Sequence, residues 1–382
     1  MWPLARDTLT EDDVDALASW LTTYPRMTQD RLVREFEQEW SRWLGVADSV
    51  FVNSGTSANL ALIATAARRV PGRPRVGVAA VTWSTNISPS LLLGHDVIVF
   101  DVDRRTLGVD ATQVLSAIEG REIDILFVTH LLGLDALSDE VLDAAQRCGV
   151  IVLEDCCEAH GARHGSDRVG SFGLGSTFSF YYGHHMTTIE GGMISTNDAD
   201  LGDEVRLMRA HGLARESLRS DDYVAAQPAL DPRFLFVSAG LNLRSTEINA
   251  FLGLRQLDRL DERIELRNRN MQQLLETAPD SIWTDFRTTG MSSFALPLIA
   301  RNQVTAAKVR AVVDELEIES RPVVAGNLLR QPLAAEYGLR PHGGAAPTAD
   351  HVHECGLYVG NGHHVSGAMV TALTDALWTI GT

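Results

Sequence analysis

A histidine occupies the most informative position of this sequence, within the segment 177–192, TFSFYYGHHMTTIEGG. His184 follows the Phe-Ser-Phe tripeptide by four residues, and His185 is its neighbour. An imidazole accepts and donates protons near neutral pH, whereas it cannot form the stable link to a carbonyl carbon that a lysine amine forms. The chain contains a single lysine, Lys308. Proton transfer therefore has candidates in His184 and His185, and lysine chemistry has one candidate elsewhere.

Polar side chains also occur where three strands are predicted to end. The turn 53–58, NSGTSA, offers N–H groups and hydroxyls that bind a phosphate at a helix N-terminus, although such a turn also serves as an ordinary helix cap. Trp83 either stacks on a planar ring or packs in the core. The predicted strand 150–154 leads to Asp155, whose carboxylate can keep a pyridine nitrogen protonated. We expect Glu154 to be a structural or solvent-facing neighbour.

Hydrophobic periodicity predicts the scaffold that holds these groups. Between residues 48 and 154, short β-rich runs alternate with helical stretches such as 57–67 and 140–147. The predicted strands are 49–53, 76–81, 96–102, 124–129 and 150–154. This alternation is typical of a mainly parallel sheet that helices cover on both faces. We therefore expect an α/β fold with Asp155 at the carboxyl edge of its central sheet, where ligands of such folds bind.

Helical patterns precede and follow the predicted sheet. Apolar side chains recur at helical spacing in residues 11–45 and 246–275. After Pro279, short elements at 294–299, 306–316 and 368–377 indicate a smaller α/β unit. We predict a large domain over 1–245, including the N-terminal helical segment, and a second domain over 246–382 that begins with a long connecting helix.

Composition narrows the classes of partner and location. The formal charge is −17, which disfavours a nucleic-acid partner because phosphate backbones attract clustered lysine and arginine. No stretch approaches the roughly 20 apolar residues of a membrane span, and the first residues lack the apolar core of a signal peptide, so we expect a cytoplasmic protein. The chain has four cysteines, Cys148, Cys156, Cys157 and Cys355. Their spacing matches neither a zinc site nor an iron–sulphur cluster, so we expect no bound metal.

Taken in order, five motifs give the chain a resemblance to a known family, the DegT/DnrJ/EryC1/StrS sugar aminotransferases, which use pyridoxal 5′-phosphate (PLP). The motifs are Ser54-Gly55-Thr56, the strand ending in Asp155, Phe178-Ser179-Phe180, Glu190-Gly191-Gly192 and Gly240-Leu241-Asn242-Leu243-Arg244. The resemblance implies a fold-type I, aspartate-aminotransferase-like architecture. It also implies a homodimer with active sites shared between the subunits.

The same resemblance implies roles for individual residues. The implied cofactor contacts are Gly55, Thr56, Trp83, Asp155, Glu158, Ser179 and Asn242. Thr56 and Ser179 would bind the phosphate, Asp155 the ring nitrogen and Trp83 the ring face. Glu158 would lie near the ring hydroxyl, and Asn242 would reach the phosphate held by the neighbouring subunit. Substrate contacts are expected from His211 and Arg321, although His211 has an equal prospect of being an ordinary loop residue.

The chain departs from the aminotransferase pattern at one position. His184 stands where the aminotransferases have the lysine that binds the cofactor covalently, four residues after Phe-Ser-Phe, so the resemblance favours His184 over His185. This replacement resembles the GDP-4-keto-6-deoxymannose 3-dehydratase branch of the family, as do the segments 182–186, 321–327 and 356–361. The branch implies 3-dehydration of a nucleotide-linked 4-keto-6-deoxyhexose with PLP and its amine form, pyridoxamine 5′-phosphate (PMP), which glutamate restores, and with His184 as proton carrier. The alternatives are a lysine-independent sugar aminotransferase and a non-catalytic regulatory protein.

Overall fold

The computed structural model describes residues 1–380, which form one large sheet, one small sheet and a short hairpin. The strands are β1 (Asp48–Val52), β2 (Arg75–Ala79), β3 (Asp96–Phe100), β4 (Ile125–Thr129), β5 (Ile151–Asp155), β6 (Arg163–His164), β7 (Asp167–Arg168), β8 (Gly175–Ser179), β9 (Gly192–Thr196), β10 (Ala295–Ile299), β11 (Ser320–Pro322) and β12 (Gly356–Gly360). The α-helices are α1 (Glu11–Leu21), α2 (Arg31–Leu44), α3 (Gly55–Ala66), α4 (Ser88–Leu92), α5 (Ala111–Glu119), α6 (Asp139–Cys148), α7 (Ala199–Arg209), α8 (Ser220–Ala226), α9 (Glu247–Leu257), α10 (Leu260–Thr277), α11 (Gln303–Glu315), α12 (Pro332–Glu336), α13 (Pro347–Cys355) and α14 (Gly367–Trp378).

The large sheet has seven strands in the order β1-β9-β8-β5-β4-β2-β3. Six strands run parallel to one another, and β9 pairs antiparallel with both β1 and β8. Strands β4 and β8 are buried along their whole length, as expected of a sheet covered on both faces. The prediction of a mainly parallel sheet is confirmed, and its carboxyl edge gathers the ends of β1, β2, β4, β5 and β8.

The strand predictions are accurate to within two residues, whereas the two long helical predictions each divide. The segment 11–45 forms α1 and α2, and the segment 246–275 forms α9 and α10. Helix α2 packs against α9, where Gly253 permits close approach: a Cβ atom there would lie 2.7 Å from the ring of Phe36. Such tight contact lets the fully buried Phe36 and Trp40 fill the space beneath β1 and β8.

The small sheet, β10-β12-β11, is antiparallel and receives the N-terminal residues at its edge. Trp2 pairs with Ile318, and the Trp2 backbone N–H donates to the carbonyl of Glu317 at 3.0 Å. The Trp2 indole N–H donates to the carbonyl of Gly360 at 3.1 Å. Both ends of the chain therefore contribute to this unit, and the division at residue 245 stays a prediction. Of the helices in residues 1–380, none is long and apolar enough to cross a membrane.

Candidate active site

A cavity of about 750 Å³ lies at the carboxyl edge of the large sheet and extends to the small sheet. The predicted site residues that line it are Gly55, Thr56, Trp83, Asp155, Glu158, Ser179, His184 and Arg321. A second cavity, of about 800 Å³, lies at the amino ends of β4 and β5 and contains none of them. The structure therefore brings eight of the ten predicted residues together in one place.

The N-terminus of α3 forms a small polar cradle against the end of β8. Ser54 caps the helix by accepting a hydrogen bond from the N–H of Ser57 at 3.1 Å. Gly55 allows close approach, since a Cβ atom there would lie 2.7 Å from the Cβ of Ser179. Free N–H groups at a helix start, with the hydroxyls of Thr56 and Ser179 beside them, suit a phosphate group.

Three N–H donors hold the carboxylate of Asp155 at the cavity floor. Its Oδ2 accepts from the side-chain amides of Asn59, at 3.0 Å, and Asn86, at 2.8 Å. Its Oδ1 accepts from the backbone N–H of Cys157 at 2.9 Å. Neither asparagine was predicted as a site residue, because neither belongs to a recognisable sequence motif. The ring of Trp83 lies at the cavity wall with 55% of the residue exposed, so its face is free to stack.

Glu158 lies beside Asp155 with a partly protonated carboxyl group. Its Oε2 accepts from the backbone N–H of Leu132 at 2.8 Å. Leu132 adopts a left-handed backbone conformation with φ of 54°, which is unusual for leucine and directs this N–H to the carboxyl. Burial, together with the charge of Asp155, raises the pKa of Glu158 to about 7. Near neutral pH the group can therefore either donate or accept a hydrogen bond.

Glu154 is a structural residue, which was one of the two placements expected for it, and it does not face solvent. It is fully buried and accepts from the backbone N–H groups of Gly170, at 2.7 Å, and Gly173, at 2.9 Å. His130 accepts from a backbone N–H through Nδ1, so its Nε2 donates to Glu154 at 3.2 Å. Cys156 brings a third potential metal ligand within reach. The imidazole of His130 and the carboxylate of Glu154 are already engaged in hydrogen bonds. A metal ion is therefore not needed to explain why the three side chains lie together.

The two adjacent histidines face different surroundings. His184 lines the cavity, and its Nδ1 is buried with no hydrogen-bond partner in residues 1–380. Burial, and then the charge of Arg267, lowers the pKa of His184 to about 4, so the imidazole is neutral at pH 7. His185 is fully buried and lies 3.1 Å from the hydroxyl of Ser292 through Nε2. Lys308 lies on α11, where its amine donates to the carbonyl of Ile380.

Arg267 is a site residue that the sequence analysis missed. It lies on α10 between the buried residues Ile264 and Met271, at the spacing of the helix face that packs into the protein. An arginine at such a position is a recognisable signal, because buried arginines are rare without a functional or structural partner. Residues 4–6 were also missed; they line the cavity mouth, where the hydroxyl of Tyr182 donates to the carbonyl of Ala5 at 3.1 Å.

Two predicted residues lie away from this cavity. Asn242 lines a separate polar cavity of about 620 Å³ together with Arg26 and Arg244. His211 is exposed, and its backbone N–H donates to the carbonyl of Leu241 at 2.7 Å. Both residues lie on neighbouring segments, since Ala210 pairs with Asn242. Within one chain they do not contribute to the site that contains His184.

Comparison with known proteins agrees with this geometry. Residues 8–377 match the model of the DegT/DnrJ/EryC1/StrS aminotransferase family. The chain is 33% identical over 371 residues to GDP-4-keto-6-deoxy-D-mannose 3-dehydratase of Yersinia pseudotuberculosis, with 94% of each chain covered. It is similar to the structure of the E. coli GDP-4-keto-6-deoxy-D-mannose-3-dehydratase with bound hydrated PLP, at 29% identity, a TM-score of 0.91 and 99% coverage of both chains. A structure of GDP-4-keto-6-deoxymannose-3-dehydratase with a trapped PLP-glutamate geminal diamine gives a TM-score of 0.91 at 28% identity, covering 99% of this chain and 100% of that one. The predicted fold class is confirmed.

Proposed function

The chain belongs to the DegT/DnrJ/EryC1/StrS aminotransferase family, and we propose that it is a PLP- and PMP-dependent 3-dehydratase of a nucleotide-linked 4-keto-6-deoxyhexose. One observation carries this proposal: a neutral histidine, His184, lines the cavity at the position of the family's lysine. Lys308, the one lysine of the chain, lies on α11 and does not line that cavity. The likeness to 3-dehydratases over 94% of the chain supports the same conclusion.

The cavity fits a pyridoxal cofactor in three respects. The cradle at the start of α3 suits the phosphate, and the hydrogen-bonded carboxylate of Asp155 suits a protonated ring nitrogen. Trp83 offers an exposed ring face, and Glu158 a carboxyl group able to share a proton with the ring hydroxyl. When bound, the cofactor supplies a ring that accepts electrons from an adjacent carbon. We assign the phosphate contacts to Gly55, Thr56 and Ser179.

In this proposal, His184 moves the protons of both halves of the cycle. In the glutamate half, the neutral imidazole would take a proton from the α-carbon of glutamate and deliver it to the amino-bearing carbon of the cofactor. In the sugar half, it would remove a proton from that same carbon and pass it to the departing hydroxyl group. A lysine would instead hold the aldehyde form of the cofactor covalently. Without it, no cavity residue within 1–380 competes with glutamate for the aldehyde form, which suits a cycle that depends on the amine form.

We propose that the substrates are a GDP-linked 4-keto-6-deoxy sugar and glutamate. Relatives at 31–33% identity carry the name GDP-4-keto-6-deoxy-D-mannose 3-dehydratase, and the glutamate adduct in a similar structure supports the amino donor. The overall change balances as keto sugar plus glutamate giving 3-deoxy-4-keto sugar, 2-oxoglutarate and ammonia. Arg321, at the cavity wall, is our candidate for a substrate contact. Both proposed substrates suit a cytoplasmic location.

We also propose a homodimer with shared active sites. Near Asn242, several large apolar side chains are exposed, which is typical of a protein interface; they are Leu230, Phe234, Phe236 and Leu241. In such a dimer, Asn242 would extend toward the partner's cofactor phosphate, as the family resemblance implies. The polar cavity that contains Asn242 and Arg244 would then face the partner subunit.

Product analysis tests the proposed function against amino transfer. The protein with PLP and glutamate is incubated with GDP-, CDP- and TDP-linked 4-keto-6-deoxy sugars. A dehydratase gives a sugar that lacks one oxygen atom, with one ammonia released per turnover, and the GDP-linked substrate should react fastest. An amino sugar without free ammonia would establish the aminotransferase. Absence of turnover with every sugar, in protein that binds PLP, would favour the regulatory alternative.

A further inference from the structure

Arg267 places a positive charge in the interior without a neutralising carboxylate. Arg267 is 4% exposed and lies on the inward face of α10. Burial and the charge of Arg263 lower the pKa of Arg267 to about 10, and within residues 1–380 no carboxylate contributes to that pKa. Buried charges are normally paired, because removing a charge from water costs several kcal/mol. An unpaired guanidinium at a cavity wall therefore calls for an explanation in the function of the cavity.

The guanidinium contacts carbonyl groups from two other elements. One nitrogen donates to the carbonyl of Phe294 at 2.7 Å, just before β10. Another donates to the carbonyl of His184 at 3.4 Å. The backbone of Arg267 is itself fixed, because its carbonyl accepts from the side-chain amide of Asn361 at 2.8 Å. Arg267 thus connects the long helix α10, the small sheet and the loop that carries His184.

The cavity that His184 lines also contains charged or ionisable side chains, which include Arg6, Asp155, Glu158, Glu190, Glu319 and Arg321. The imidazole itself packs close to other rings. The ring of His160, from the segment after β5, lies 6.0 Å away between centroids, and Phe294 lies 5.5 Å away. His185 follows in the same loop. Burial lowers the pKa of both His160 and His185 well below the usual range, so both are neutral at pH 7. After burial, the charge of Arg267 is what lowers the pKa of His184.

We propose that Arg267 is a positioning residue for His184, fixing the loop behind the imidazole and keeping the imidazole in its proton-accepting form. The inference rests on the proposed function, in which His184 carries protons. Its two parts depend on different properties of the side chain. Holding the loop requires the forked donors of a guanidinium, whereas disfavouring protonation requires only the positive charge. Substitution by lysine keeps the charge but removes the forked donors, whereas substitution by glutamine removes the charge, so the two variants separate the two effects.

Three variants test the inference: Arg267→Gln, Arg267→Lys and, as matched control, Arg263→Gln. Arg263 precedes Arg267 by about one turn on α10, and its guanidinium donates to the carbonyl of Thr8 rather than toward His184. The imidazole pKa of His184 is measured by NMR on the protein without substrate, with its signal assigned by its loss in His184→Asn. The pH profile of glutamate-driven conversion of aldehyde to amine cofactor is recorded by absorbance.

We expect Arg267→Gln to raise the His184 pKa by about one unit or more, and to move the acid limb of the pH profile upward by the same amount. Arg267→Lys should keep the low pKa while slowing turnover at all pH values. Arg263→Gln should resemble the unmodified protein. A folded Arg267→Gln protein with an unchanged His184 pKa would overturn the inference. A His184 pKa at or above 6.5 in the unmodified protein would also overturn the inference, and that measurement does not depend on any variant folding. The NMR shift does not depend on which sugar product forms, so failure of the dehydratase proposal alone would leave it intact.

Discussion

Replacement of His184 by asparagine should slow proton transfer strongly while leaving cofactor binding intact. Asparagine keeps a polar side chain of moderate size but has no group that accepts a proton near neutral pH. The phosphate cradle lies on α3 and β8, and Asp155 lies at the end of β5, so the variant does not alter their contacts. We therefore expect the cofactor to bind with similar affinity, as measured by absorbance titration.

The size of the rate loss follows from the protonation state of His184. With a pKa of about 4, only about 0.1% of the imidazole is protonated at pH 7, so the unmodified protein uses its full capacity as a base. Removing a positioned general base costs about 10²–10⁴-fold, which corresponds to about 3–5 kcal/mol of activation free energy. Both the conversion of the aldehyde cofactor by glutamate and the loss of the sugar hydroxyl should slow by this order.

The two half-reactions are measured separately, by cofactor absorbance and by product mass. In the unmodified protein, both rates should fall as the pH drops toward the pKa of His184, because the base becomes protonated; the residual rate of His184→Asn should not follow this limb. His185→Asn is the matched comparison, since His185 is buried and hydrogen-bonded to Ser292. Near-normal rates in His184→Asn combined with a large loss in His185→Asn would refute the reasoning.

Three further outcomes are expected. Borohydride treatment should leave the cofactor unattached to the chain, because Lys308 lies on α11; a pyridoxyl group on Lys308 in peptide mapping would contradict the site described above. Mixing inactive Asp155→Ala and Asn242→Ala subunits should recover activity through hybrid dimers with one intact site, whereas no recovery after proven subunit exchange would place the whole site within one chain. The pKa of His184 is lower in the folded protein than its ordinary 6.5, so its contribution to stability is present above pH 6.5 and is lost as the pH falls toward 4. This loss amounts to about 3 kcal/mol, and denaturant titrations between pH 7 and 4 should show it in the unmodified protein but less of it in His184→Asn.

The sequence predicted those parts of the site that follow strands. Strand ends are marked by a change from apolar to polar residues, and in a parallel sheet they meet at one edge, which is why Asp155, Ser179 and His184 line the same cavity. The preference for His184 over His185 followed from the family motif, in which the fourth residue after Phe-Ser-Phe is the lysine. For Glu154 the sequence left a structural and a solvent-facing role open, because a buried carboxylate surrounded by backbone N–H donors has no distinctive sequence pattern.

Contacts made by isolated residues could not be predicted in this way. Asn59 lies within α3 and Asn86 within a short turn, and only the tertiary fold directs both amides to Asp155. The N-terminal residues reach the cavity by pairing with a segment more than 300 positions away, as the bridge between Trp2 and Ile318 shows. Arg267 was the exception, since its place on an apolar helix face was visible in the sequence.

The pairing of the N-terminal residues with the small sheet has consequences during synthesis. Trp2 and Gly360, which share a hydrogen bond, are separated by 358 residues. At translation rates of about 5–20 residues per second, their synthesis is separated by roughly 20–70 s. The strands of the large sheet end at Thr196 and can pair on the nascent chain during that interval, whereas the indole of Trp2 waits for its partner. The cavity mouth formed by residues 4–6 is thus assembled last, and a nascent chain that does not yet include Gly360 would carry His184 in a cavity whose mouth is incomplete.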